Sequence, residues 1–385
     1  MCHHYAVGPC LIGRPSEIES RATINGIQMA EPDRFVAKLL VASAAGYASA
    51  AATRPLEKYP DVEARFAPGG WSGWRAFFLQ RIHDLAAAIS ASVPEIFAGR
   101  MNWARQSFVS RSIPDQDLCS GLECLGEVLT GELPDSAAAT VAPVLAAAME
   151  TLRRPLSEEP SRLDGDTATG RTALQYLVAA IEGDSRSAIS GVVEAVDSGL
   201  SLDQVYSEVM MAVQWELGRM WHAGELSIAQ EHLVTTTTQR LMAVLSFRTT
   251  PASPNGRRVV LAGVSGDVHD VALRALADLF ESYGWHSICL GSDLPDTEIA
   301  AASDYFVADL LLLSATLPQH LEGVEKTILA LKELEDRTIP VIVGGTAYRS
   351  TDDLWRRQGA DGYAPDFGGA LAMAEDLLSR SQGDA

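Results

Sequence analysis

The strongest constraint on this chain is a repeated pattern in its last third. Between residues 254 and 382, five short apolar runs alternate with helical patterns. The runs are Arg258–Val264, Ser287–Gly291, Leu310–Ser314, Val341–Gly345 and Gly362–Ala364. Each is too short for a helix, and successive runs are separated by one helix-length segment. Strands that alternate with helices pair in parallel, with helices covering both faces. The block therefore reads as a doubly wound, Rossmann-like parallel sheet. Such sheets bind ligands beyond the carboxyl ends of their strands, which directs attention to the loops after each run.

The upstream sequence has a different period. Residues 167–250 read as four helices, over Gly170–Glu182, Asp184–Ser198, Ser201–Trp221 and Ser227–Arg248. The last opens on Ser227-Ile228-Ala229-Gln230, a capping-box pattern. Helices of this length with short joints predict a four-helix bundle. A Pro-, Ser- and acid-rich stretch from Arg154 to Asp166 suits a solvated linker. Residues 31–155 carry apolar positions at helical spacing, as in Trp74-Phe77-Phe78-Ile82 and Leu118-Leu122-Leu125-Leu129, with Pro94 and Pro114 at plausible helix starts. That block is expected to be all-helical. Residues 1–30 read as an irregular arm. The fold class is thus multidomain α and α/β.

Composition narrows the function. The formal charge is −20 and no Lys/Arg run occurs, which argues against direct nucleic-acid binding. Five scattered cysteines form no CxxC pair, so neither a disulfide framework nor structural zinc is expected, and a reducing cytoplasm fits. The apolar run from Phe35 to Ala52 contains Lys38 and follows Glu31 and Asp33. It reads as a small-residue helix rather than a signal peptide, and no membrane span is expected.

The loop after the first strand holds Gly266-Asp267-Val268-His269. An Asp two residues before a His can fix the imidazole tautomer and leave the other nitrogen free for a metal. Together with Ser314-Ala315-Thr316 and Gly344-Gly345, this resembles the cobalamin-binding domain of methionine synthase, corrinoid methyl carriers and cobalamin-dependent mutases. Leu290–Pro295 matches that family's second loop. The resemblance implies cobalt ligation from below by His269, supported by Asp267, and a tunnel for the cofactor's nucleotide tail lined by Ser314, Thr316, Gly344 and Gly345. Ala272 departs from the pattern, standing where the family motif has Gly.

The preceding bundle resembles the helical cap of light-dependent adenosylcobalamin photoreceptors. Trp221, then nine residues, then Glu231-His232 matches their motif. The resemblance implies that Trp221 packs on the adenosyl group and Glu231 contacts it. It also implies that His222 ligates cobalt from above once light has removed the adenosyl group. Helical domain, cap and sheet domain in this order are similar to photocobilins, which pair cobalamin with biliverdin. For a bilin, Arg75, Arg81, Arg100, Arg105 and Arg111 among the aromatics are candidate carboxylate partners. His83 is a candidate contact, and Cys2 and Cys10 are thioether positions, although free cysteines are the simpler expectation.

The chain is therefore expected to be a non-enzymatic light sensor, binding adenosylcobalamin and a biliverdin. Its output is expected through a homo-oligomer that changes with light or through a protein partner. The alternative is a corrinoid carrier in methyl transfer. Such a carrier needs His269 but not Trp221, His222 and Glu231. A mutase would require a substrate barrel for which no block is long enough.

Overall fold

A computed structural model describes residues 31–58, 70–156, 160–334, 338–351 and 353–383. The arm over residues 1–30, with Cys2 and Cys10, lies outside the described residues.

The N-terminal domain consists of α1 (Glu31–Lys58), α2 (Gly70–Ser90), α3 (Pro94–Ser110), α4 (Asp115–Glu132) and α5 (Asp135–Arg153). Pro94 is the first residue of α3, where its missing N–H costs nothing. The aromatic stripe is core. Trp74 and Phe78 are fully buried and stacked with centroids 5.2 Å apart, and Phe77 and Phe108 pack around them. Gly121 sits against this stack because a Cβ there would come within 2.6 Å of the Trp74 ring.

Asp33–Pro55, within α1, is by length and composition apolar enough to cross a membrane. Alanines raise the hydropathy enough to outweigh Lys38. One face, with Leu40, Ala44, Ala48, Ala51 and Ala52, is buried in the helical core, as small residues allow helices to approach closely.

The cap comprises α6 (Ala168–Ile181), α7 (Ser185–Asp197), a third helical run and α10 (Ile228–Arg248). The third run joins α8 (Leu202–Gln204), a π-helical turn (Val205–Met210) and α9 (Met211–His222). Spacing alone predicts an uninterrupted α-helix there, which the π-helical turn interrupts. Such turns insert one residue into the hydrogen-bond ladder and often sit near functional sites. Here Tyr206, within the turn, donates from its hydroxyl to Asp278 across the seam to the sheet domain, at 2.6 Å. The capping box at Ser227 is formed: Gln230 N–H donates to Ser227 Oγ, and Ser227 N–H donates to Gln230 Oε1.

The sheet domain has β1 (Arg258–Val264), β2 (His286–Leu294), β3 (Leu310–Ser314), β4 (Val341–Gly344) and β5 (Gly362–Ala364), all parallel in the order β2-β1-β3-β4-β5. The crossovers are α11 (Val271–Ser282), α12 (Asp296–Tyr305), α13 (Leu321–Lys332), α14 (Leu354–Arg357) and the closing α15 (Phe367–Gly383). Side chains along β1 alternate between two buried faces. Val260, Ala262 and Val264 face a core continuous with the N-terminal domain, whereas Val259 and Leu261 face the opposite layer with Phe280 and Trp285. The strand order reverses between β1 and β3, the switch point where such folds open a crevice. The cap packs Val205, Val209 and Leu241 in one core with Ala275 and Leu279 of α11. The helix that follows the His269 loop is therefore the helix on which the cap sits.

Candidate functional site

The β1–α11 loop is built around Asp267, which is fully buried. Its Oδ1 accepts from His269 Nδ1 at 2.8 Å and from the His269 backbone N–H at 3.1 Å. Its Oδ2 accepts from the Thr316 backbone N–H at 2.7 Å, and His320 Nδ1 lies 3.2 Å from the same oxygen. Burial pushes this carboxyl up, but the bonds from His269 and His320 outweigh burial and hold it well below the usual carboxylate range. His269 is raised, first by its bond to Asp267, against the opposing effect of burial. Donation from Nδ1 fixes the tautomer with the lone pair on Nε2. Just over half of the His269 side chain is exposed.

The neighbouring strand ends supply a groove without side chains. Gly266 has φ +81°, and its N–H donates to Asp293 Oδ1 at 2.7 Å. Gly345 has φ +103°, and a Cβ there would lie 2.2 Å from the Ala315 carbonyl oxygen. A Cβ at Gly344 would lie 3.2 Å from the Ala364 carbonyl. Ser314 ends β3 beside Gly263 and Gly344, and the Thr316 carbonyl accepts from Thr346 Oγ1 at 2.6 Å. Ser314, Thr316, Gly344 and Gly345 thus meet at one edge with Asp267. Ala272 lies exposed in the first turn of α11 and has no positive φ, so the backbone there does not demand glycine.

On the cap side, Trp221 is 37% exposed, while His222 is buried at 5%. His222 is gripped by α3 of the N-terminal domain. Its ring stacks on Trp103 with centroids 3.7 Å apart and planes 15° apart. Its Nε2 lies 2.6 Å from the Trp103 carbonyl oxygen; only an N–H can face a carbonyl at that distance, so Nε2 carries the proton. The His222 carbonyl accepts from Arg111 Nη1 at 2.9 Å and from Ser110 Oγ at 3.4 Å. Burial lowers the His222 pKa, and the charges of Arg111, Arg100 and Arg81 lower it further, against the Trp103 bond. Glu231 accepts from Thr235 Oγ1 at 3.0 Å. Its charge adds to the rise of the His269 imidazole, and further along α10 Gln239 Nε2 donates to Asp270 Oδ1 at 3.5 Å. His232 is largely exposed, with its Nδ1 3.7 Å from Glu231.

The arginines suggested for a bilin have internal partners instead. Arg81 and Arg100 pair with buried Asp84, and Arg105 pairs with Asp115. Arg75 donates to Ser49, and Arg111 holds the His222 carbonyl. A cavity of about 570 Å³ lies elsewhere, between α1, α2 and α13, and is lined by Lys38, His83, Ser90, Gln319 and Lys326 among others.

His320 was not evident in the sequence. It follows the Ser-x-Thr strand end by four residues, in a 3₁₀ turn (Pro318–His320) that no spacing rule announces.

The residues present fit a corrinoid. Among the described residues, no group of three or more His, Cys, Asp or Glu side chains is placed to hold a bare ion. A single oriented imidazole instead suits a metal that brings its own equatorial ligands. The glycine-lined strand ends leave room for a long substituent beside it.

Comparison with known proteins agrees. Residues 257–372 match a family model described as "B12 binding domain", and residues 173–246 match a second model with the same description. Over 186 residues the chain is 28% identical to the HTH-type transcriptional repressor CarH of Myxococcus xanthus, covering 48% of this chain and 60% of the repressor. Over 210 residues it is 28% identical to the dimethylamine corrinoid protein of Methanosarcina barkeri, covering 54% of this chain and 97% of that protein. The solved structure of the Methanosarcina barkeri monomethylamine corrinoid protein aligns with a TM-score of 0.47 at 18% identity, over 55% of this chain and 99% of that one. The cap and the parallel-sheet domain are thus B12-binding domains, and the chain is a cobalamin-binding protein.

Proposed function

We propose that this chain is a light sensor that holds adenosylcobalamin between the cap and the sheet domain, with His269 as the lower cobalt ligand. The observation that carries this reading is the corner at Trp221–His222. A methyl carrier has no use for a second, buried imidazole at that corner. Here the corner is tied to a further domain through Trp103. A bound adenosylcobalamin supplies a light-labile cobalt–carbon bond. Asp267 orients His269, Trp221 presents a half-exposed ring to the adenosyl group, and Glu231 offers it a carboxylate. His222, neutral in its cationic surroundings, is the upper ligand held in reserve. Its release from Trp103 would loosen the seam between N-terminal domain and cap, giving a packing change for an oligomer or a protein partner to read.

The cavity beside His83 is the place for a biliverdin in this reading. Lys38 and Lys326 at its wall suit the propionates of a linear tetrapyrrole, and its volume suits a chromophore of that size. Protein produced with biliverdin available should absorb red or far-red light, and His83→Ala should change that spectrum.

The second reading is a corrinoid carrier in methyl transfer. It is favoured by the near-complete coverage of the dimethylamine corrinoid protein. Green light on the adenosylcobalamin-loaded protein separates the two. A sensor shifts to the spectrum of two-imidazole ligation, and His222→Ala abolishes the shift. A carrier shows no His222-dependent change and no change in elution volume.

A further inference from the structure

We infer that Trp215, gripped by Arg162 and Arg349, is a clasp that shuts one flank of the cobalamin site and opens when the cofactor enters or leaves. The inference rests on the cofactor lying between cap and sheet domain, at the His269 loop.

Three segments distant in sequence meet at the Trp215 ring. Trp215 belongs to α9, the cap helix that ends on Trp221 and His222. The Arg162 guanidinium, from the linker, lies 3.6 Å from the ring centroid. The Arg349 guanidinium, from the sheet domain, lies 4.4 Å from it. Each arginine stands on a built turn. Leu163 N–H donates to Ser161 Oγ at 3.2 Å, and the Leu163 side chain packs on the cap core. Just beyond, Thr167 Oγ1 donates to the Asp164 carbonyl at 3.1 Å, and Arg171 Nη1 donates to the Asp166 carbonyl at 3.0 Å. This part of the linker is therefore a strap fastened to the cap. Arg349 closes the 3₁₀ turn Thr346–Tyr348, which directly follows Gly345. That turn is anchored by buried Tyr348, whose hydroxyl donates to Gln358 Oε1 at 2.7 Å. Arg349 thus belongs to the same layer of loops, at the carboxyl ends of the strands, as Gly345 and His269. Its strand β4 stands two places from β1.

The seam between cap and sheet domain is closed differently on its two sides. Along α11 it is an apolar core, reinforced by the Tyr206–Asp278 bond and by a bond from the Tyr283 hydroxyl to Asp203 at 3.1 Å. At the β4 edge, two exposed arginines hold one ring. Separating an apolar core exposes its area to water, whereas cation–π contacts at exposed sites are individually weak. The clasp also carries a cost while shut. Trp215 Nε1 is buried and has no hydrogen-bond partner among the described residues. An indole nitrogen can only donate, and a buried donor left unpaired regains water when the ring moves out. The β4 side is therefore the flank that yields.

The test mixes the full chain with hydroxocobalamin and follows uptake by absorbance. Release from the loaded protein is followed with an excess of a second, tight cobalamin-binding protein as trap. Arg349→Gln should raise both rates about three- to tenfold, with the dissociation constant changed by less than about twofold because a gate acts on both directions alike. Arg162→Gln should act in the same direction. Arg349→Lys, which keeps a cation for the ring, should return most of the wild-type kinetics. Faster release without faster uptake would make Arg349 an ordinary cofactor contact, and unchanged rates in both glutamine variants would leave the clasp without a role; either result overturns the inference. A bound-cobalamin spectrum indifferent to His269→Ala would instead overturn the placement of the cofactor, and the inference falls with it.

Discussion

The two imidazoles of the candidate site are held in opposite ways. His269 is more than half exposed, donates through Nδ1 to a buried carboxylate and keeps Nε2 free. His222 is buried, donates through Nε2 to a backbone carbonyl and lies flat on Trp103. The first arrangement presents a ligand at rest, because nothing need break before Nε2 meets a metal. The second restrains one, because the stack and the Trp103 bond must be given up. A site with one ready and one withheld imidazole is suited to a change of ligation, whereas two ready imidazoles would compete with the upper substituent at all times.

The comparison can be broken most severely on the His269 side. Gly345→Ala would bring a methyl group against the Ala315 carbonyl in a left-handed conformation. It should cost about 1–2 kcal/mol for the conformation and a further 1–3 kcal/mol or so for overpacking. Thermal unfolding and cobalamin titration should both register the loss, while the His222–Trp103 contact stays intact. Asp267→Asn leaves the fold nearer to wild type and should weaken cobalamin binding about 10–100-fold, as expected for a ligand's supporting partner. Equal affinity in the variant would mean that His269 does not depend on its carboxylate.

The His222 side should respond more modestly and with the opposite sign. Trp103→Ala removes the stack, worth about 0.5–1.5 kcal/mol, but leaves the backbone carbonyl in place. The spectral change after a light flash should therefore appear faster by up to about tenfold. A slower change would mean that Trp103 delivers the imidazole rather than restraining it. The smallest effect is expected at Ala272. Ala272→Gly should cost about 1 kcal/mol of helix stability and leave cobalamin affinity unchanged, because the methyl group is exposed. A marked gain in affinity would show that the side chain obstructs the groove.

The two sides also differ in how far the sequence revealed them. Strand runs such as Leu310–Ser314 are short, apolar and flanked by turns, so their period is local and readable; β3 spans those same residues. Asp267 and His269 are two residues apart, and their bond forms within one loop. His222 could be read as a neighbour of Trp221, but its partner Trp103 lies 119 residues earlier. No spacing connects them. The same holds for His320, 53 residues beyond Asp267 in a short 3₁₀ turn. The ion pairs of the N-terminal arginines were not legible, because composition cannot reveal that Asp84 sits between Arg81 and Arg100. Local hydrogen bonds were legible, whereas contacts that depend on how domains dock were not.

The contrast between the two imidazoles is tested most directly by following cobalt ligation in the dark and after green light, in the same adenosylcobalamin-loaded samples of wild type, His269→Ala and His222→Ala. The dark spectrum and dark affinity should depend on His269 and be indifferent to His222. The illuminated spectrum should require both. A dark spectrum altered by His222→Ala, or an illuminated spectrum indifferent to it, would contradict the account.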